Sequence, residues 1–217
     1  TETNLPSKND VLIPAFRRLS EMLGRHRVVW RYDPIFLSEH YTVGYHIRYF
    51  AKMAERLADC TEKCTVSFLD YYKNTRKSAP EIRPPDDGEI RTLISAFAET
   101  AKCVGITLDT CAEEADLSEY GVSHASCIDA ERLSRIAGKT IPAPPDGNQR
   151  KACGCRKAVD IGAYNTCVNG CRYCYANYIL PLVRENHRCH DPASPLLTGN
   201  LTEEDKVTER RTDGGKQ

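Results

Sequence analysis

Apolar residues recur at helical spacing from Asp10 to Leu23, where Leu12, Ile13, Phe16, Leu19 and Leu23 share a face and Gly24 supplies a stop. This predicts a first helix. Val28-Val29-Trp30-Arg31-Tyr32-Asp33 is short, β-branched and aromatic, so it reads as a buried strand, with Pro34 expected to close it. Thr42 to Leu57 returns to the helical period through Val43, His46, Ile47, Phe50, Met53, Ala54 and Leu57. Residues 64–70 predict a second strand, 71–88 a polar, proline-containing loop, 89–104 a helix and 105–109 a third strand.

Strands alternating with helices of ten or more residues imply parallel pairing through right-handed crossovers, hence an α/β sheet or barrel. Three strands are too few to close a barrel, so a partial (β/α) barrel is expected. In such folds chemistry gathers at the carboxyl ends of the strands, which here carry Arg31, Asp33, Asp70, Asp109 and Cys111. An aspartate after a strand also commonly caps the next helix or turn. Several strand ends facing one mouth nevertheless make Arg31, Asp33, Asp70 and Asp109 the catalytic candidates.

Beyond Leu117 the regularity fades. A short helix is expected over 128–136, and Ile141-Pro142-Ala143-Pro144-Pro145-Asp146-Gly147 reads as a loop. The expected organisation is β/α units over 1–140, a proline-rich linker over 141–150, a cysteine-rich segment over 151–200 and a polar tail over 201–217. Within the third part, Val159 to Tyr164 looks like a strand entering a cysteine loop and Tyr175 to Arg184 like the helix leaving it.

Composition narrows the function. Of 217 residues, 41% are hydrophobic and 28% charged, which fits one folded domain of ordinary size and not a disordered chain. No apolar run approaches the roughly 18–20 residues of a membrane span. Lys+Arg and Asp+Glu stand at 30 each, so there is no broad cationic field for nucleic acid or an anionic membrane. The eleven cysteines form an odd set with no secretory signal before them, which points to reduced thiols and a cytoplasmic setting. The chain opens at Thr1 with no initiator Met, and a preceding portion is expected.

The chemistry concentrates at Cys167-x3-Cys171-x2-Cys174, with Tyr173 directly before the last cysteine. Three thiolates on one short loop can each bind an iron of a [4Fe–4S] cube and leave the fourth iron open. Cys-x3-Cys-x-aromatic-Cys resembles the signature of radical S-adenosylmethionine enzymes, in which that open iron holds the cofactor. Zinc is the competing reading, with Cys153 and Cys155 pairing with Cys171 and Cys174, but Cys-x-Cys is not the usual zinc spacing and Cys167 would be left over. Cys153 and Cys155 can alternatively ligate a second cluster, with Cys189 or Cys111, or support the loop. Cys60, Cys64, Cys103 and Cys127 are expected to be buried apolar residues. Arg150, Lys151, Arg156, Lys157, Arg172, Arg184 and Arg188 give the segment a local positive excess that suits a cofactor carboxylate, the cluster or a phosphate, or simply a solvated face. Arg172 and Tyr173 are the cofactor-binding candidates.

Arg31-Tyr32-Asp33-Pro34-Ile35, Tyr45-His46-Ile47, Asn148-Gln149-Arg150, Cys153-Gly-Cys155, Asp160-Ile161-Gly162-x-Tyr164, the three loop cysteines with Tyr175-Ala176-Asn177, and residues 190–197 together resemble domain of unknown function family 1848, a bacterial group. The resemblance implies a relative of radical-SAM iron–sulfur enzymes, with a [4Fe–4S] cluster, S-adenosylmethionine and an electron donor such as flavodoxin or ferredoxin. It implies no substrate. Family members look longer at the amino end, in keeping with the strand deficit. The loop near the carboxyl end, with no Gly-Gly-Glu-type motif on a later strand, departs from the usual radical-SAM order: Gly214-Gly215 lies in the polar tail. Either the strand order is permuted or the cluster works without S-adenosylmethionine, as in electron transfer.

Overall fold

The computed structural model describes residues 1–209. The tail glycines Gly214 and Gly215 lie outside the described residues. Two compact units are present among the described residues: 1–160 with 169–175, and 161–168 with 176–209.

The first unit holds a parallel four-stranded sheet in the sequential order β1-β2-β3-β4, with β1 at Trp30–Ile35, β2 at Lys63–Phe68, β3 at Thr107–Thr110 and β4 at Ser123–His124. Helix α1 (Ile13–Leu23) precedes the sheet, α2 (Val43–Leu57) joins β1 to β2, and α3 (Lys73–Ser78) and α4 (Asp87–Val104) join β2 to β3. Helix α5 (Ala130–Ala137) follows β4. A mixed α/β fold with parallel strands is therefore established. The strand through Trp30 does not stop at Pro34: it passes a cis Asp33–Pro34 bond and ends at Ile35.

Helix ends follow local chemistry. Thr42 Oγ1 accepts the Tyr45 N–H to start α2, and α4 opens with a reciprocal box in which Asp86 accepts from Glu89 N–H and Glu89 accepts from Asp86 N–H. Gly105, at φ 72°, ends α4 in the left-handed conformation that glycine adopts without a Cβ penalty.

Alternation along the strands separates two faces. Trp30, Cys64, Val66 and Leu108 pack with Phe50, Ala54, Leu57, Leu93, Ile94, Phe97 and Ala101 of α2 and α4 into one core. Phe50 stacks between Trp30 and Phe97, with ring centroids 4.9 and 4.0 Å away. The intervening residues Arg31, Asp33, Thr65, Ser67 and Asp109 meet on the opposite, polar face, where Thr65 Oγ1 donates to Asp109 Oδ1 at 2.7 Å and Ser67 Oγ to Asp33 Oδ2 at 3.4 Å. Among the described residues no helix is long and apolar enough to cross a membrane.

In the second unit, α6 (Leu180–Arg188) is held by buried Asn165. Asn165 N–H donates to the Ala176 carbonyl, its Oδ1 accepts from Tyr178 and Ile179 N–H at 2.9 and 3.0 Å, and its carbonyl accepts from Asn186 Nδ2. Side-chain hydrogen bonding, not an extended ladder, organises this segment. The strand expected over Val159–Tyr164 is absent: apolar residues alternate there, but Ile161 is 87% exposed and has no sheet to join. The exit helix begins at Leu180 and not at Tyr175.

Candidate functional site

Two places carry chemistry. The first is the carboxyl-end mouth of the sheet. Arg31 forms an ion pair with Asp33, Nη2 to Oδ2 at 2.6 Å, and its Nη1 donates to Cys127 Sγ at 3.0 Å. Burial alone would lower the Arg31 pKa, yet the Asp33 carboxylate overrides it and holds the guanidinium charged above its ordinary range. Cys111 immediately follows β3, and its sulfur lies 3.4 Å from that of Cys127. A hydrogen bond from Cys127, with Arg31 adding to it, pulls the Cys111 thiol down to about 6, and the same sharing pushes the Cys127 thiol up.

Asp70 lies just past β2 and is forked by Arg150, whose Nη1 reaches Oδ1 at 3.1 Å and whose Nη2 binds Oδ2 and also the Tyr72 hydroxyl at 3.1 Å. Glu113 is half-buried beside it and accepts the Phe68 N–H at 2.8 Å. Burial raises the Glu113 carboxyl to about 7, with the Asp70 charge adding to the rise. Asp109 is only 4% exposed and is engaged inside the sheet by Lys63 and Thr65.

The second place is the cysteine segment. Within the first unit, residues 169–175 are held by the chain's first residues: Asn4 N–H donates to the Asn169 carbonyl, Arg172 N–H to the Thr1 carbonyl, and Glu2 bridges Cys171 in antiparallel fashion. Cys171 and Cys174 are half-buried and share one turn, closed by Cys174 N–H to the Cys171 carbonyl at 3.1 Å. Tyr173 between them packs on Phe36 with centroids 5.5 Å apart and donates to Glu2 Oε1. Burial and that carboxylate push the Tyr173 hydroxyl up. The Tyr173 carbonyl accepts from Thr75 Oγ1, and Arg172 is bound by the Ser78 carbonyl and Glu81. Cys167 belongs to the second unit, is exposed, and has its carbonyl held by Asn177 Nδ2 at 2.6 Å. Among the described residues no group of three or more His, Cys, Asp and Glu side chains is arranged to hold a metal ion. The donor chemistry, three thiols within eight residues, is of the kind an iron–sulfur cluster takes.

A family model described as Domain of unknown function (DUF1848) matches residues 1–176. The chain belongs to this family. No curated protein and no solved structure matches it. The match spans the strand-end mouth and all three loop cysteines.

Within that frame the expected residues sort clearly. Arg31 and Asp33 stand together, but within β1 and not at its carboxyl end, because the strand runs on through Pro34 to Ile35; Asp70 stands with Arg150, and Asp109 is enclosed by Lys63 and Thr65. Cys155 is buried, and its sulfur accepts the N–H groups of Cys127 and Ile128 at 3.1 and 3.4 Å, while burial raises the neighbouring Cys153 thiol. The expected positive excess is partly neutralised, since Arg150, Arg172 and Arg188 pair with Asp70, Glu81 and Glu185. Cys60 and Cys64 are buried as expected, but Cys103 and Cys127 are exposed. Cys103 falls on the solvent side of α4, and Cys127 turns toward Arg31. Glu113 and Cys127 are the residues that sequence reasoning missed. Glu113 lies two positions beyond Cys111, past a strand end, and that position was the available signal; nothing in the sequence singles out Cys127.

Proposed function

We propose that this chain is an iron–sulfur protein of the radical S-adenosylmethionine type, built on part of a (β/α) barrel. Cys167, Cys171 and Cys174 would hold a [4Fe–4S] cluster. The observation that supports this most directly is the closed turn carrying Cys171 and Cys174, anchored through Tyr173, with Cys167 four residues before it. When bound, such a cluster would supply the electron for reductive cleavage of S-adenosylmethionine. A low-potential donor such as flavodoxin or ferredoxin would deliver that electron.

The chain's own residues have separable roles. Consecutive parallel strands with helices packed on one face and polar side chains on the other support this reading, in which the polar face would be the inner one. Arg31, held by Asp33 on the polar face of β1, would present guanidinium N–H groups to an anionic group. Asp70 orients Arg150 there. Glu113, near 7, can hold or release a proton at neutral pH. Asp109 positions Lys63 and Thr65 within the sheet.

The test uses protein reduced and purified without oxygen. Adding S-adenosylmethionine is expected to change the cluster's electron paramagnetic resonance spectrum and release 5′-deoxyadenosine. A brown, iron-rich protein with no response to the cofactor would leave electron transfer as the function, and a colourless zinc protein would overturn both.

A further inference from the structure

The thiols of Cys111 and Cys127 are sixteen positions apart in sequence, yet their sulfurs are 3.4 Å apart at the mouth of the sheet. Cys111 follows β3, and Cys127 lies three residues beyond β4, so adjacent parallel strands deliver them to the same place. Neither is sealed in the core: Cys127 is exposed and Cys111 half-exposed. Arg31 Nη1 donates to Cys127 Sγ at 3.0 Å, and its other end is fixed by Asp33, so a positive charge is held on the pair. A disulfide needs the sulfurs to close from 3.4 Å to about 2.05 Å. Metal ligation is the competing use, but no group of three or more ligating side chains is arranged to hold a metal ion among the described residues.

We propose that Cys111 and Cys127 form a redox-active dithiol that undergoes exchange with low-molecular-weight disulfides at the strand-end mouth. The Cys111 thiolate attacks one sulfur of the small disulfide: a bond forms from Cys111 Sγ to that sulfur, the disulfide bond breaks, and the other half leaves as thiolate. Cys127 then gives its proton to solvent, and its sulfur, stabilised as thiolate by Arg31, attacks Cys111 Sγ. The second half leaves as thiolate. Two electrons pass from the protein to the small disulfide, which ends as two thiols once the leaving groups are protonated, and the protein carries one Cys111–Cys127 disulfide. The reaction does not depend on the iron–sulfur reading, because it uses neither Cys167, Cys171 nor Cys174.

The experiment equilibrates the reduced full chain with glutathione disulfide under argon, blocks remaining thiols by alkylation, and maps disulfides by peptide mass spectrometry. The expected product is a Cys111–Cys127 cross-linked peptide as the dominant disulfide, absent in Cys111→Ser and in Cys127→Ser. Cys127→Ser is expected to trap glutathione on Cys111 at least tenfold more than Cys111→Ser traps it on Cys127. Circular dichroism of both variants establishes that they fold, and the wild-type cross-link stands as a readout that needs no variant. Both thiols found alkylated while other cysteines oxidise would overturn the proposal. So would a zinc or iron atom bound to the wild type and lost in each serine variant.

Discussion

Arg31 serves two partners at once, Asp33 through its Nε and Nη2 and Cys127 through its Nη1. The consequence is measurable at Cys111, whose thiol is pulled to about 6 mainly by the hydrogen bond from Cys127. Alkylation of Cys111 by iodoacetamide, followed by peptide mass spectrometry, is expected to fall as pH drops through about 6 and to plateau above it, since the thiolate is the nucleophile. Cys127→Ala, which removes that donor, should shift the midpoint upward. Asp33 opposes the shift, so Asp33→Asn should lower it further. Glu113 gives the opposite kind of pH dependence. Its carboxyl rises from an ordinary 4.5 to about 7 because burial disfavours the charged form, so the folded state loses stability as pH rises through that window. Urea unfolding at pH 5 and pH 8 should show Glu113→Gln, which keeps the acceptor for the Phe68 N–H, losing less of its stability over this interval than wild type. Glu113 is partly exposed, and the difference is on the order of 1 kcal/mol after allowing for solvent screening.

Asp109 and Asp86 each hold an element in place. Asp109 ties β3 to β2 through Thr65 and Lys63, and removing its charge leaves a largely buried lysine without its partner. Asp109→Asn is expected to cost about 3 kcal/mol in denaturant unfolding. Asp86 caps α4, and Asp86→Ala should cost about 1 kcal/mol by the same measurement. Helices α1, α2 and α4 and the three longer strands were legible from apolar periodicity, although α4 starts two residues earlier than that periodicity predicts because Asp86 caps it. Two elements were not. Ser123–His124 is a two-residue polar strand with no period to read, and it forms because β3 offers it an edge. Lys73–Ser78 is polar throughout and is held by tertiary contacts: Thr75 is buried and donates to the Tyr173 carbonyl, and Ser78 binds the Arg172 carbonyl. The converse error at Val159–Tyr164 has the same root, since alternation makes a strand only where a neighbouring strand can pair with it.

At the scale of the whole molecule, two kinds of site information behave differently. The proposed iron–sulfur loop is written locally: three cysteines within eight residues suggest a ligand set by their spacing alone. The mouth chemistry is written non-locally. Arg31 and Cys127 lie 96 positions apart, and with Cys111 they become neighbours only through parallel β1, β2, β3 and β4. Strand-end position pointed to Arg31 and Cys111, but the contact with Cys127 depends on the path of the loop after β4, which no spacing encodes. Asn165 is a similar case in the second unit, where one buried residue ties Ala176, Tyr178, Ile179 and Asn186 together.

The most direct measurement is the iron and acid-labile sulfide content of protein prepared without oxygen, read together with its visible spectrum. The expected result is about four iron and four sulfide per chain, with sharp loss of both in Cys167→Ala, Cys171→Ala and Cys174→Ala and retention in Cys111→Ser. Protein that folds but binds neither iron nor sulfide, or that keeps its iron when all three of these cysteines are replaced, would contradict the assignment.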